Sequence, residues 1–174
     1  MAAIEVPVLE TERLRLRGHR PDDFAACTMM WADPVVVRHT AGRPQSGEET
    51  WTKILRYAGL WPLLGFGFWA MEEKATGEFV GEVGFADFKR DMEPSIAGIP
   101  EMGWVLASKA HGKGYATEAV RAAIAWGDQH LSAARTVCLI QPENAASLRV
   151  AEKCGFREYE RTMYKEHDVI LLER

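Results

Sequence analysis

Glu101-Met102-Gly103-Trp104-Val105-Leu106-Ala107-Ser108-Lys109-Ala110-His111-Gly112-Lys113-Gly114-Tyr115-Ala116-Thr117-Glu118-Ala119-Val120 is the stretch that decides the fold. Glu101 to Ala107 has the length of a strand, with Trp, Val and Leu to cover a sheet. Gly112 and Gly114 permit backbone angles that side chains forbid, so a sharp turn follows. Beyond Gly114 the apolar period becomes helical: Ala116, Val120, Ala123, Ile124 and Gly127 share one face, while Thr117, Arg121 and Asp128 share the other. A glycine loop that enters a helix leaves several N–H groups without partners. With the positive end of the helix dipole, these N–H groups make an anion site, suited to a cofactor phosphate. The bland reading of the same residues is a plain strand-to-helix turn.

Working outward, Leu9 to Arg17 alternates Leu14 and Leu16 with Arg13, Arg15 and Arg17, the pattern of a half-buried strand. Pro21-Asp22-Asp23 opens a helix whose buried face holds Phe24, Cys27, Thr28 and Trp31, and Asp33-Pro34 ends it. Ser46 and Glu49 have capping-box spacing ahead of a second helix through Trp51, Ile54, Leu55 and Ala58. Gly59 to Gly65 breaks that pattern. Phe66–Glu73 and Phe79–Phe88 read as a hairpin around Ala75-Thr76-Gly77. A polar connection, Lys89 to Pro100, precedes the central stretch. Thr136–Gln141 reads as a buried strand. Asn144 caps a short helix that Gly155 terminates, and Phe156–Tyr164 and Asp168–Leu172 close the chain as strands.

Hairpins followed by strand–helix–strand predict an α/β fold: a mixed, largely antiparallel sheet with helices on both faces. Gly103 to Ile140 is expected as a parallel crossover. A ligand site is then expected at the end of the central strand.

The chain has 174 residues, net charge −4 and pI about 5.8. It reads as one domain over 1–174, with no basic excess for nucleic acid. Cys27, Cys138 and Cys154 are an odd set without metal-ligand spacing, so free thiols in a reducing, cytoplasmic setting are expected, and no metal site. The opening residues 1–7 carry no leader signature, and no apolar run has the length of a membrane span.

His111-Gly112-Lys113-Gly114-Tyr115-Ala116 has neither GxxxxGK[ST] nor GxGxxG spacing. It matches instead His111-x-x-Gly114-x-Ala116, and it is followed by Asn144-Ala145-Ala146-Ser147-Leu148-Arg149-Val150-Ala151-Glu152-Lys153-Cys154-Gly155-Phe156. The chain resembles the GNAT superfamily of acyl-CoA-dependent N-acetyltransferases. Its loop is similar to the family's Arg/Gln-x-x-Gly-x-Gly/Ala. The downstream segment and Leu9-Glu10-Thr11-Glu12-Arg13-Leu14-Arg15-Leu16-Arg17 are similar to the RimJ/RimL branch, which acetylates ribosomal-protein N-termini. The resemblance spans nearly the whole chain. It implies the GNAT fold, acetyl-CoA as cosubstrate, and an amine acceptor, either a peptide N-terminus or a small molecule. Family habit allows a homodimer. Two residues depart from the family pattern: His111 stands where Arg or Gln is usual, and Ala151 stands where many relatives carry a tyrosine acid, so that assignment is not carried over.

The pyrophosphate is assigned to the amides of Gly112, Lys113, Gly114, Tyr115, Ala116 and Thr117, with added attraction from a protonated His111. By resemblance, the backbone of Trp104, Val105, Leu106 and Ala107 would pair with the pantetheine arm as an added strand, with the Val105 N–H as oxyanion donor. Asn144 would bond the pantetheine amide, and Ser147 would serve the thiolate. Glu101 is the favoured base, at roughly 13 Å along the strand from Val105 and so acting through water. Glu82 and Asp87 are its rivals, and a solvated strand carboxylate is its bland reading. Tyr159 and Tyr164 are less favoured acids. Trp31, Trp51, Trp69 and Trp104 fit core positions, and Trp61 is assigned to an acceptor pocket opposite Lys89 to Pro100. No cysteine is placed as a covalent carrier, so direct attack in a ternary complex is expected. The rival class is an acyl-CoA-binding sensor without turnover. A phosphotransferase lacks any motif.

Overall fold

The computed structural model describes residues 5–174. The leader expectation concerns residues 1–7, of which 1–4 lie outside the described residues. Among the described residues, eight strands form one sheet: β1 (Leu9–Glu10), β2 (Leu14–Arg17), β3 (Phe68–Glu73), β4 (Phe79–Ala86), β5 (Glu101–Leu106), β6 (Val137–Ile140), β7 (Arg157–Tyr164) and β8 (His167–Glu173). Their spatial order is β1-β2-β3-β4-β5-β6-β8-β7, and only β5 and β6 are parallel. The helices are α1 (Phe24–Ala32), α2 (Pro34–Val37), α3 (Gly47–Leu64), α4 (Tyr115–His130) and α5 (Ala145–Lys153). The fold is the mixed, largely antiparallel α/β sheet with helices that the sequence leads one to expect.

Strand alternation sorts the core into two faces. Leu14, Leu16, Trp69, Met71, Val83 and Phe85 lie in one cluster with Ala119, Val120, Ala123 and Ile124 of α4. Ala70 and Phe79 face Cys27, Met30, Trp31 and Ile54 of α1 and α3. Tyr57 stacks on Phe68 with ring centroids 4.3 Å apart. Gly103 makes room for this stack on β5, since a Cβ there would stand 2.9 Å from the Phe68 ring.

Several local expectations are corrected. The strand expected over Leu9–Arg17 is a hairpin of β1 and β2, because the Thr11 N–H donates to the Leu14 carbonyl and the Thr11 hydroxyl accepts the Leu14 N–H, folding the chain. Pro34 opens α2 instead of only ending α1, with the Asp33 carboxylate accepting the Val35 N–H. The break expected from Gly59 is absent. The helix α3 runs through Pro62 to Leu64 and ends on left-handed Gly65, whose N–H donates to Trp61 O. Pro62 removes only one bond near the helix end, and burial of Tyr57, Leu60 and Trp61 on one face outweighs that loss. The capping box forms as expected, Ser46 N–H to Glu49 at 2.8 Å and Glu49 N–H to Ser46 Oγ at 3.2 Å.

Candidate active site

The parallel pair β5–β6 is joined at one position only, Glu101 opposite Val137. There the Val137 N–H donates to Pro100 O. Beyond that apex the two strands part. A cleft of about 880 Å³ fills the wedge and continues under α3 and the segment 38–42 that follows α2, a size suited to a ligand site.

Alternation along β5 decides which backbone groups face the wedge. The Ala107 N–H donates to Val80 O on β4, while Pro100 O points to β6. Residues two apart point the same way. Val105 therefore turns its N–H and C=O to β4, and Trp104 and Leu106 turn theirs to the wedge. The expected oxyanion donor is thus corrected: the Val105 N–H is committed to the sheet, and the amide facing the cleft is that of Trp104.

Glu101, Trp104, Val105, Asn144 and Ser147 line the cleft. Leu106, the last residue of β5, and beyond it Ala107 and the loop from His111 to Thr117 lie outside the cleft wall. Gly114 takes the left-handed conformation, φ 80°, and delivers the chain into α4. No acceptor among the described residues pairs with the N–H groups of Gly112 to Thr117. The side chains here are otherwise engaged. His111 Nε2 donates to Leu106 O at 2.9 Å, so its imidazole ties loop to strand rather than reaching outward as a phosphate ligand. The Tyr115 hydroxyl bonds Glu73, and Arg13 Nη1 holds Lys113 O at 2.8 Å while its Nε reaches Glu118 Oε2 at 2.7 Å. The free groups of this loop are its amides.

Asn144 Oδ1 accepts the Ser147 N–H at 3.2 Å, so it caps α5 while facing the cleft. Glu101 is buried. Arg90 forks onto it, Nε to Oε2 and Nη2 to Oε1, both 2.7 Å. Its rivals separate. Asp87 lines the cleft but is held by Lys89 and the Gly98 N–H, which keep its carboxyl below the usual range against the opposing effect of burial. Glu82 is wholly buried outside the cleft wall and accepts from Trp31 Nε1 and His19 Nε2, each at 3.1 Å. Tyr164, less favoured from sequence, lines the cleft 5.0 Å below the Arg90 guanidinium, whereas the Tyr159 hydroxyl is buried elsewhere without a partner among the described residues.

Two tryptophan expectations fail. Trp61 is buried, donates to Phe68 O at 3.2 Å, and packs on Trp69 and Trp126; it belongs to the core and not to the cleft. Its place in the last turn of a continuous helix explains the difference. Trp51 is 38% exposed, edge-on to Phe24. The three cysteines are free and buried, and burial pushes each thiol up, away from thiolate chemistry. Among the described residues, no helix is long and apolar enough to cross a membrane.

The acetyltransferase (GNAT) domain matches residues 13–157. Bacillus subtilis YkkB, itself uncharacterized, is 32% identical over 161 residues, covering 90% of this chain and 88% of that protein. A GnaT-family acetyltransferase from Bordetella pertussis superposes with a TM-score of 0.85 at 32% identity, covering 97% and 99% of the two chains. RimL, a ribosomal L7/L12 alpha-N-protein acetyltransferase solved with coenzyme A, shares the fold with a TM-score of 0.77 at 17% identity over 97% of each chain. The chain belongs to the GNAT acetyltransferases, acyltransferases that take their acyl group from acetyl-CoA.

Proposed function

We propose that this protein moves the acetyl group of acetyl-CoA to a primary amine, an N-terminal α-amine or a small-molecule amine, by direct attack in a ternary complex. The observation that carries this reading is the single-point pairing of β5 and β6. It leaves a strand edge at Trp104 and Leu106 to which an extended amide-bearing arm can add. Past it lie the unpaired amides of Gly112 to Thr117, at the positive end of α4, suited to a pyrophosphate. The Trp104 N–H is the oxyanion donor in this scheme, Asn144 bonds the arm, and the Ser147 hydroxyl serves the departing thiolate. Glu101 accepts the amine proton through a water on the lone pairs that Arg90 leaves free. Likeness to RimL supports placement in the RimJ/RimL branch, and three buried free thiols suit a reducing cytoplasm.

A second reading, acyl-CoA binding without turnover, is favoured by the commitment of both Glu101 oxygens to Arg90. One titration separates the two. Acetyl-CoA is bound calorimetrically, then mixed amines are added and free thiol is measured. Binding with amine-dependent CoA release supports the enzyme; binding without release across a broad panel supports the sensor; absence of binding ends both.

A further inference from the structure

The cleft carries a charge pattern unsuited to a bare ammonium. Arg38, Lys53, Arg56, Arg90 and Lys165 stand around it with two carboxylates, Asp87 and Glu101. Both carboxylates are neutralised, Glu101 by Arg90 and Asp87 by Lys89. Arg38, Lys53, Arg56 and Lys165 have no carboxylate within ion-pair distance among the described residues. Three of them rest on aromatic rings instead: Lys53 Nζ is 4.0 Å from the Trp31 centroid, Arg56 4.8 Å from Phe88, and Lys165 Nζ 5.4 Å from Tyr164.

These cations come from separate elements. Arg38 follows α2, Lys53 and Arg56 lie three apart on one side of α3, and Lys165 occupies the β7–β8 turn at φ 47°. Like charges at that helical spacing repel, and a non-glycine residue at positive φ is strained. Burial lowers the Lys53 ammonium to about 8, and the neighbouring Arg56 acts in the same direction. Such a wall attracts anions and repels ammonium ions. The loop amides assigned to the pyrophosphate lie outside it.

We infer that the acceptor is a small primary amine that also carries a carboxylate or phosphate, held by Arg38, Lys53, Arg56 and Lys165. The inference rests on the acetyltransferase reading. The surrounding positive charge favours the neutral form of the amine, so its nitrogen lone pair is available. Nitrogen then attacks the thioester carbonyl carbon: a C–N bond forms, the C–S bond breaks, the sulfur leaves as thiolate, and the amine proton passes through water to Glu101.

The test uses the full chain, acetyl-CoA and matched amines: phosphoethanolamine against ethanolamine, amino acids against their amides, and one peptide with an acidic N-terminus. CoA release is followed, and acetyl-CoA affinity is measured separately. The anionic member of a small-molecule pair should exceed its neutral partner at least tenfold in kcat/KM. Arg56→Gln should raise the KM for that acceptor at least fivefold and leave the KM for acetyl-CoA within twofold. Equal rates within every pair, release with the peptide alone, or no release from any anionic amine despite acetyl-CoA binding each overturn the inference. A rise in acetyl-CoA KM alone in Arg56→Gln also overturns it, by assigning the cations to the cofactor. Failure to bind acetyl-CoA would instead refute the underlying acetyltransferase reading.

Discussion

Arg90 grips Glu101 with two parallel 2.7 Å bonds at the point where β5 and β6 separate. The only carboxylate on the central strand is therefore a guanidinium partner as well as a candidate base. Glu101→Gln keeps the shape and one acceptor oxygen. On the proposed role, kcat falls roughly 100-fold, the scale of lost general-base catalysis, while the KM for acetyl-CoA stays within twofold. A fall below threefold, with an unchanged pH–rate profile, assigns Glu101 to holding Arg90.

Glu82 sits in the interior and not in the cleft. Trp31 and His19 both direct ring nitrogens at it. Removing the carboxylate leaves both without their partner, and breaking a buried polar pair in this way costs about 3 kcal/mol. Glu82→Ala should lower Tm by roughly 10 °C for a chain of this size. Folded protein, at reduced temperature, should retain its acetyl-CoA affinity. Loss of catalysis at full stability would restore Glu82 as a rival base.

Ala116 lies in the first turn of α4, among the unpaired amides. An acid there suits the helix dipole, worth about 0.3–1 kcal/mol in that position. It also competes for the amides with any phosphate. Because Ala116 is half-buried against the core, Ala116→Asp should lower Tm modestly, and it should weaken acetyl-CoA binding of the folded protein at least tenfold by calorimetry. Unchanged affinity would remove the loop from the cofactor site.

Lys53 gives a pH signature. Burial depresses its folded pKa from 10.5 to about 8. Below pH 8 both folded and unfolded chains hold the proton, and the folded state bears the cost of burying the charge. Between about 8 and 10.5 the unfolded state binds more protons, so the Lys53 contribution to stability rises with pH. Lys53→Met should therefore raise Tm most at pH 7, with the advantage fading as pH approaches 10.5. An advantage independent of pH would mean that Lys53 is not depressed.

The central stretch was legible because its information is local. Strand composition, two glycines and a change of period lie within twenty consecutive residues, and Gly114 turns as its neighbours require. The capping box of α3 was equally local. Trp61 was misread for the opposite reason. Gly59 and Pro62 suggest a break, but burial of its ring against Trp69 and Trp126 holds the helix together, and those partners lie 8 and 65 residues away. His111 was assigned to phosphate from its place in the motif, yet its hydrogen bond goes to Leu106, a choice set by loop geometry.

The sequence by itself determined the order of the main elements, the mixed sheet and the glycine turn into α4, since periodicity and glycine placement act over a few residues. Tertiary structure decided the rest of the site. The backbone groups of β5 that face the wedge depend on which side pairs with β4, so the exposed amide is that of Trp104 and not Val105. Convergence of Arg38, Lys53, Arg56 and Lys165 on one cleft depends on how α2, α3 and the β7–β8 turn pack over it. Charges far apart in the chain interact through space, and only the folded arrangement sets their distances.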